Sequence, residues 1–240
     1  MDVTILTTAI ILGLLLGVKH ATDADHVVAV STIVSEYRNA WRGLWVGASW
    51  GLGHSTPLLL VGSVILLLKV PFPERYALFL EFGVGVMLVI LGLQVFWNLW
   101  RRRIHFHAHD HPGDPHAHLH LHEGSPEHAW HHTFFQVGKP FFRLKSYVVG
   151  IVHGLAGSAA VMLLVLTTIT SFWVGMAYIV VFGVGTILSM GIITLFMGIP
   201  FAISGRFDRM NRTIQGVAGT ASIVFGLVLI YEIAFVEGLL

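Results

Sequence analysis

The sequence has no cysteine among its 240 residues and very little charge, with only 11% Asp, Glu, Lys and Arg. The missing cysteine excludes disulfides, thiolate metal sites and thiol redox chemistry, so a bound metal ion must have nitrogen and oxygen ligands. Soluble domains carry about 25% charged residues. Because 55% of this chain is hydrophobic, an ordinary soluble domain is excluded and a lipid bilayer is the expected surrounding.

Several familiar signals are also missing. The start of the chain lacks the short apolar core and small-residue cleavage site of a signal peptide, so we expect none. The chain has no nucleotide-binding motif, so no ATPase partner is evident, and nothing predicts a nucleic-acid partner. It also lacks a His-Glu-x-x-His pattern and an activated serine arrangement. We therefore predict that the protein is not an enzyme and holds no permanent cofactor.

Six apolar segments reach the length of about 20 residues that a membrane-spanning helix needs. They run over 3–34, 44–68, 77–100, 147–169, 173–199 and 214–236. This pattern predicts an all-α membrane protein with six transmembrane helices. We expect the first and second helices to be irregular, because polar motifs interrupt them.

The two halves of the chain repeat. Gly17 and His20 match Gly150 and His153 at an offset of 133 positions, and residues 50–53 match 182–185 at an offset of 132. Glycines of the third and sixth spans match at an offset of 134, namely Gly85 and Gly92 with Gly219 and Gly226. Since each half has three spans, the second half enters the bilayer from the opposite side. We predict a 3+3 inverted repeat of residues 1–100 and 147–240, joined by a loop at 101–146.

Orientation follows from lysine and arginine, which are enriched on the cytoplasmic side of membrane proteins. Of the 14 basic residues, all but Lys19, Lys69 and Arg75 fall on one side of the predicted spans. This bias places the 101–146 loop in the cytoplasm and both termini outside. The predicted location is the cell (inner, cytoplasmic) membrane.

The first span contains the most unusual stretch, residues 20–26, which read His-Ala-Thr-Asp-Ala-Asp-His. A carboxylate in hydrocarbon costs roughly 2.5 to 3.5 kcal/mol, and a divalent ion would offset that cost. On an ideal helix His20, Asp23 and His26 share an arc of about 120°. Asp25 points away, and either pairs with Lys19 or indicates a distorted helix. The alternative is a buried polar network that joins helices.

Three further positions are candidates for the same site. His54 lies beside Gly51, Gly53 and Pro57, where the proline should kink the helix and free a backbone carbonyl. In the second half, His153, Ser158 and Thr186 occupy the matching region without acids, as a wall or as ligands. The predicted site is therefore asymmetric, with the ion held mainly by the first half.

The loop is rich in histidine, and eleven of the fifteen histidines fall between His105 and His132. We predict that it is disordered without metal and collects several ions weakly. A metal sensor or a tolerated linker are the alternatives. The predicted weak ligands are His105, His107, His109, His111, His116, His118, His120 and His122.

The His-x4-Asp-His pattern of His20, Asp25 and His26 resembles the signature of the nickel/cobalt transporter family, and residues 53–56 resemble its second motif. Residues 153–160 are similar to its shorter, urease-accessory-type members. The resemblance implies His20, Asp25, His26 and His54 as metal residues, whereas helix geometry favours Asp23. Longer members have eight spans and further acidic motifs in the second half, and residues 182–186 have no acid here. Because some relatives resemble exporters, the likeness does not set the direction of transport.

The predicted function is a secondary transporter that moves Ni²⁺ or Co²⁺ as substrate through a midplane site of His20, Asp23, Asp25, His26 and His54. Its predicted partners are the divalent ion and the lipid bilayer, and the sequence leaves an oligomer open. Two other classes stay open at this point: a membrane metal-dependent hydrolase, and a metal sensor or accessory subunit.

Overall fold

The fold is described from a computed structural model of the chain. It describes residues 3–35, 37, 39–69, 73–101, 105–109, 116–120, 142–154, 156, 166, 168–169, 171–204 and 207–239. The helices are α1 (Val3–His20), α2 (Ala24–Val34), α3 (Ala40–Leu68), α4 (Glu74–Arg101), α5 (Leu144–His153), α6 (Phe172–Ser204) and α7 (Asp208–Tyr231). A π-helical turn, Glu232–Val236, continues α7.

Four of the described helices are long and apolar enough to cross a membrane, and a fifth span is formed if the bent pair α1–α2 is counted as one. These helices confirm a multi-pass, predominantly helical membrane protein. They coincide with the predicted spans at 3–34, 44–68, 77–100, 173–199 and 214–236. The remaining predicted span, 147–169, begins within α5, but residues 157–165 lie outside the described part of the chain.

The first span is broken, as predicted. Residues 6–20 and 24–34 form two helices whose axes differ by 56°. Asp23 stands at the junction in an extended conformation, with φ −61° and ψ 146°. A residue in this conformation cannot continue an α-helix, so the chain changes direction there. The break lies within the motif at residues 20–26.

The second helix is continuous through its proline. α3 is one uninterrupted helix from Ala40 to Leu68, with Pro57 inside it. A proline removes one helical hydrogen bond and crowds the preceding turn. The helix nevertheless continues past Pro57, and the kink predicted there stays a prediction.

Close helix contacts hold the bundle together. α3 and α1 both pack against α6, α5 packs against α3, and α4 packs against α7. Glycines allow several of these approaches, because a Cβ atom at Gly17 would collide with the Phe182 carbonyl oxygen, and one at Gly150 with that of Trp50. Small residues serve this purpose in membrane bundles, where packing rather than water drives association.

The exterior of the bundle is apolar, unlike that of a soluble protein. Large apolar side chains such as Leu60, Trp173 and Phe196 face outward, each about two-thirds exposed or more. Imidazoles and hydroxyls are buried instead, including those of His54 and Thr194. An apolar exterior fits a bilayer, because exposed apolar side chains meet lipid and the buried polar groups meet one another.

The histidine-rich loop contains a β-hairpin among its described residues. Strands β1 (His105–His109) and β2 (His116–His120) pair antiparallel, with His105 opposite His120 and His107 opposite His118. The disorder that we expected for this loop is therefore corrected at these ten positions. Each strand alternates histidine with another residue, and such period-two patterns suit an antiparallel pair.

Candidate metal centre

The break between α1 and α2 brings two histidines of one short motif to the same place. His20 is the last residue of α1, and His26 lies in the first turn of α2. Their ring centroids are 4.4 Å apart. In an unbroken helix, residues six apart lie about 9 Å apart along the axis. The bend of the first span therefore converts a sequence motif into a cluster.

Two more histidines complete the cluster. His54 comes from the middle of α3 and His153 from the last turn of α5. All four imidazoles are buried, with exposed fractions of 3% for His20, 1% for His26 and 0% for His54 and His153. The ring of His26 is central, because its centroid lies 4.4 Å from that of His20, 5.1 Å from that of His54 and 4.3 Å from that of His153.

Each aspartate of the motif contacts a different part of this cluster. Asp23 Oδ2 accepts a hydrogen bond from His20 Nδ1 at 3.1 Å. Asp25 accepts from two histidines, His26 Nδ1 at 3.0 Å and His153 Nε2 at 2.7 Å. Asp25 therefore points into the cluster, not toward Lys19, because the break rotates α2 relative to α1. Both carboxylates remain partly exposed.

These hydrogen bonds leave buried imidazole nitrogens without a hydrogen-bond partner. A neutral imidazole that donates from one nitrogen to a carboxylate carries only a lone pair on the other. His26 Nε2 and His153 Nδ1 are such atoms, and both are buried without a hydrogen-bond partner. His54 Nδ1 is likewise buried and unpartnered, while His54 Nε2 lies 2.6 Å from His20 Nε2. Buried lone pairs oriented by carboxylates are what metal-binding histidines present.

Within the described residues, two groups of three donors could each hold an ion. One is His20, His26 and His54, and the other is Asp25, His26 and His153. The donor atoms of each group lie within 4.8 Å of one another. Nitrogen or oxygen ligands at 2.0–2.2 Å from one ion are at most about 4.4 Å apart. Side-chain movements of less than about an ångström would therefore close either group around an ion.

The cluster has aromatic walls that we did not predict as part of the site. Trp50 is fully buried. Its ring stacks on that of His26 and meets that of His153 edge-on, with a centroid distance of 5.5 Å in each case. The ring centroids of Phe182 and His20 are 5.6 Å apart. Both residues belong to the repeated segments at 50–53 and 182–185. In the sequence repeat, Trp50 matches Phe182 and His20 matches His153. This pairing was the one sequence signal that could have placed the two aromatic residues beside the histidines.

The other predicted positions have different surroundings. Thr186 is buried, but its hydroxyl donates to the Phe182 carbonyl of its own helix at 2.9 Å. Ser158, His111 and His122 lie outside the described residues. The remaining predicted loop ligands are strand residues of the hairpin: His105, His107, His109, His116, His118 and His120.

The fold and the cluster together define a class: a multi-pass helical membrane protein with a buried group of metal-capable side chains. Comparison with known proteins gives the family. Residues 6–234 match the family model NicO, described as high-affinity nickel-transport protein. The chain belongs to this family, which consists of membrane transporters and not of enzymes. The hydrolase alternative is thereby set aside.

Individual relatives agree with this assignment. The chain is 39% identical over 239 residues to the urease accessory protein UreH of Bacillus sp. (strain TB-90), covering all of this chain and 97% of the relative. A 69-residue part is 32% identical to the high-affinity nickel transport protein of Cupriavidus necator, covering 28% of this chain and 20% of that protein. The chain is also 26% identical to the chloroplast protein FOR GROWTH AND FERTILITY 2 of Arabidopsis thaliana, over 91% of this chain and 55% of that protein. No solved structure matches the chain.

Proposed function

We propose that this protein is a secondary transporter that carries Ni²⁺ or Co²⁺ across the membrane through the buried histidine and aspartate cluster. The observation that carries the proposal is the convergence of four buried imidazoles and two carboxylates from α1, α2, α3 and α5. Such a cluster inside a lipid-facing bundle is costly unless a cation visits it. The proposed ligands are His20, Asp23, Asp25, His26 and His54, with His153 added by its contact with Asp25.

The chemistry of the donors suits these ions. Imidazole binds nickel and cobalt well, and a carboxylate adds negative charge to balance a divalent cation. The chain has no cysteine, so softer thiolate-based selection of copper(I) or zinc is excluded. The family to which the chain belongs is one of nickel transport, which supports nickel as the first ion to test.

We further propose that residues 1–100 and 147–240 are two inverted repeats that meet at the cluster. Contacts between helices support this, because they occur in matching pairs. Gly17 approaches Phe182, and its repeat partner Gly150 approaches Trp50, the repeat partner of Phe182. A two-fold axis in the membrane plane would produce this exchange of partners.

A second pair of contacts follows the same rule. A Cβ atom at Gly53 would collide with the Tyr147 carbonyl oxygen, and one at Gly185 would meet the Leu14 carbonyl oxygen at 3.1 Å. The outer helices α4 and α7 show the same exchange. A Cβ atom at Gly85 would meet the Gly226 carbonyl oxygen and the reverse also holds, as it does for Gly92 and Gly219. Rocking of the two repeats about the cluster would then alternate access to its two sides.

The proposed orientation places both termini outside the cell membrane and the 101–146 loop in the cytoplasm. Its support is the distribution of basic residues. In that position the histidine-rich loop would bind ions on the cytoplasmic side of the pathway. It would raise their local concentration without forming the pathway itself.

The test is a flux assay with purified protein in proteoliposomes, run with a panel of divalent ions and a controlled pH gradient. We expect Ni²⁺ or Co²⁺ to cross, and we expect His26→Ala to abolish the flux while the protein still inserts. His132→Ala is the matched histidine control and should transport normally. Wild-type flux in the His26→Ala protein would refute the proposal.

A second candidate function rests on the similarity to a urease accessory protein over the whole chain. In that role the protein would need a partner before it moves or delivers metal. The same proteoliposomes distinguish the two roles. Flux by the purified chain alone favours the transporter, whereas flux that requires added cell extract favours the accessory role.

A further inference from the structure

We propose that the cluster contains two successive ion positions that share His26, and that the ion passes from one to the other during transport. The first position is His20, His26 and His54, and the second is Asp25, His26 and His153. This inference rests on the proposed transport function and specifies its pathway.

The two positions share His26 and differ in their other ligands. His20 and His54 are close to each other, with ring centroids 4.6 Å apart. His153 lies on the Asp25 side, where His26 Nδ1 and His153 Nε2 both bond to the same carboxylate. The rings of His54 and His153 are 6.2 Å apart, farther than either is from His26. Neither group of donor atoms that lie within 4.8 Å of one another contains both His54 and His153, so an ion in one position has a different set of ligands from an ion in the other.

Each position has its own unpartnered donor. His54 in the first position and His153 in the second each have an unpartnered Nδ1, and the shared His26 has an unpartnered Nε2. These nitrogens are buried without a hydrogen bond. A buried, unsatisfied polar atom is costly, and each position offers an ion a way to relieve that cost.

The two positions also differ in charge and in origin. The first has three imidazoles, and the second has one carboxylate and two imidazoles. In the proposed repeat, His20 and His153 are partners related by the two-fold axis, which exchanges the two sides of the membrane. The first position takes all three ligands from the first half of the chain, whereas the second adds His153 from the second half. Because two divalent ions so close together repel strongly, the two positions are filled in turn.

The experiment uses the full-length chain with its loop histidines between 105 and 132 replaced by glutamine, so that Co²⁺ binding reports on the cluster. Co²⁺ binding is measured in detergent by equilibrium dialysis and visible absorption, and Co²⁺ flux is measured in proteoliposomes. The variants are His54→Ala, His153→Ala and His26→Ala. His54→Gln and His153→Gln are measured alongside, because they keep a polar group in the buried space if the alanine variants fold poorly.

We expect His54→Ala and His153→Ala each to keep one bound Co²⁺ with different spectra, while both lose flux. We expect His26→Ala to lose both binding and flux. If the His54 and His153 variants lose Co²⁺ as completely as His26→Ala, the cluster is one composite site and the inference is wrong. Normal flux in either variant also overturns it. Absence of flux in the parent chain would instead refute the proposed function.

Discussion

Asp25 Oδ2 accepts a hydrogen bond from His153 Nε2 at 2.7 Å, although the two residues are 128 positions apart. This contact joins the first half of the chain to the second at the centre of the cluster. The same carboxylate also accepts from His26. Asp25 therefore orients one histidine from each half, and a change at this residue acts on both.

Replacing the two aspartates separates their roles. Asp25→Asn should abolish metal flux, because an amide supplies no negative charge and orients His26 and His153 poorly. Asp23→Asn should lower metal affinity less, by about 10- to 100-fold, because Asp23 accepts a hydrogen bond from His20, whereas Asp25 orients one histidine from each half. Isothermal titration with Ni²⁺ and flux in proteoliposomes measure the two effects. Equal losses in both variants would contradict this division.

The packing of α5 against α3 depends on Gly150. A Cβ atom there would collide with the Trp50 carbonyl oxygen, so Gly150→Ala should lower the free energy of unfolding by about 1–3 kcal/mol. Gly216→Ala is the matched control, because a Cβ atom at that helical position meets nothing within 4 Å. The control should be neutral or slightly stabilising. Thermal unfolding in detergent compares them, and equal midpoints would show that this contact is not tight.

One hydrogen bond ties α4 to α7 in the buried interface. Ser222 Oγ donates to the Leu88 carbonyl oxygen at 2.7 Å. Ser222→Ala should reduce the free energy of unfolding by about 0.5–1 kcal/mol, the scale of interhelical bonds in membranes. Thr220→Ala is the control, since that exposed hydroxyl bonds to Gly216 of its own helix. If the control is the more destabilised variant in detergent unfolding, the interhelical bond has no such role.

Deletion of residues 105–132 tests what the histidine-rich loop does. The proposed ligands all lie outside this segment, so the shortened protein should keep flux at saturating metal. Flux at low metal concentration should fall, because fewer ions are collected near the pathway. The dependence of initial rate on Ni²⁺ concentration measures this. Complete loss of flux at every concentration would indicate that the loop is part of the pathway, or that the protein is a sensor.

Local residue chemistry was enough to predict five of the six apolar spans and the position of the break; the span at 147–169 stays a prediction. Residues 20–26 place two acids in an apolar segment, and α1 does end at His20. The same reasoning predicted a kink at Pro57; α3 continues through this residue, and the kink stays a prediction. This reasoning also favoured Asp23 over Asp25 from the geometry of a straight helix. The structure places Asp25 between two histidines because the helix is bent by 56° at this point.

The amino-acid sequence by itself determined that the chain lies in a membrane and that its polar motif is out of place in hydrocarbon. Hydropathy and charge are properties of residues and their neighbours, so they can be read along the chain. Only the tertiary structure decided that His153 joins the cluster, that Trp50 packs against it and that His26 is its centre. These contacts depend on the angle of the break and on how closely glycine-lined helices approach, and no local pattern specifies either.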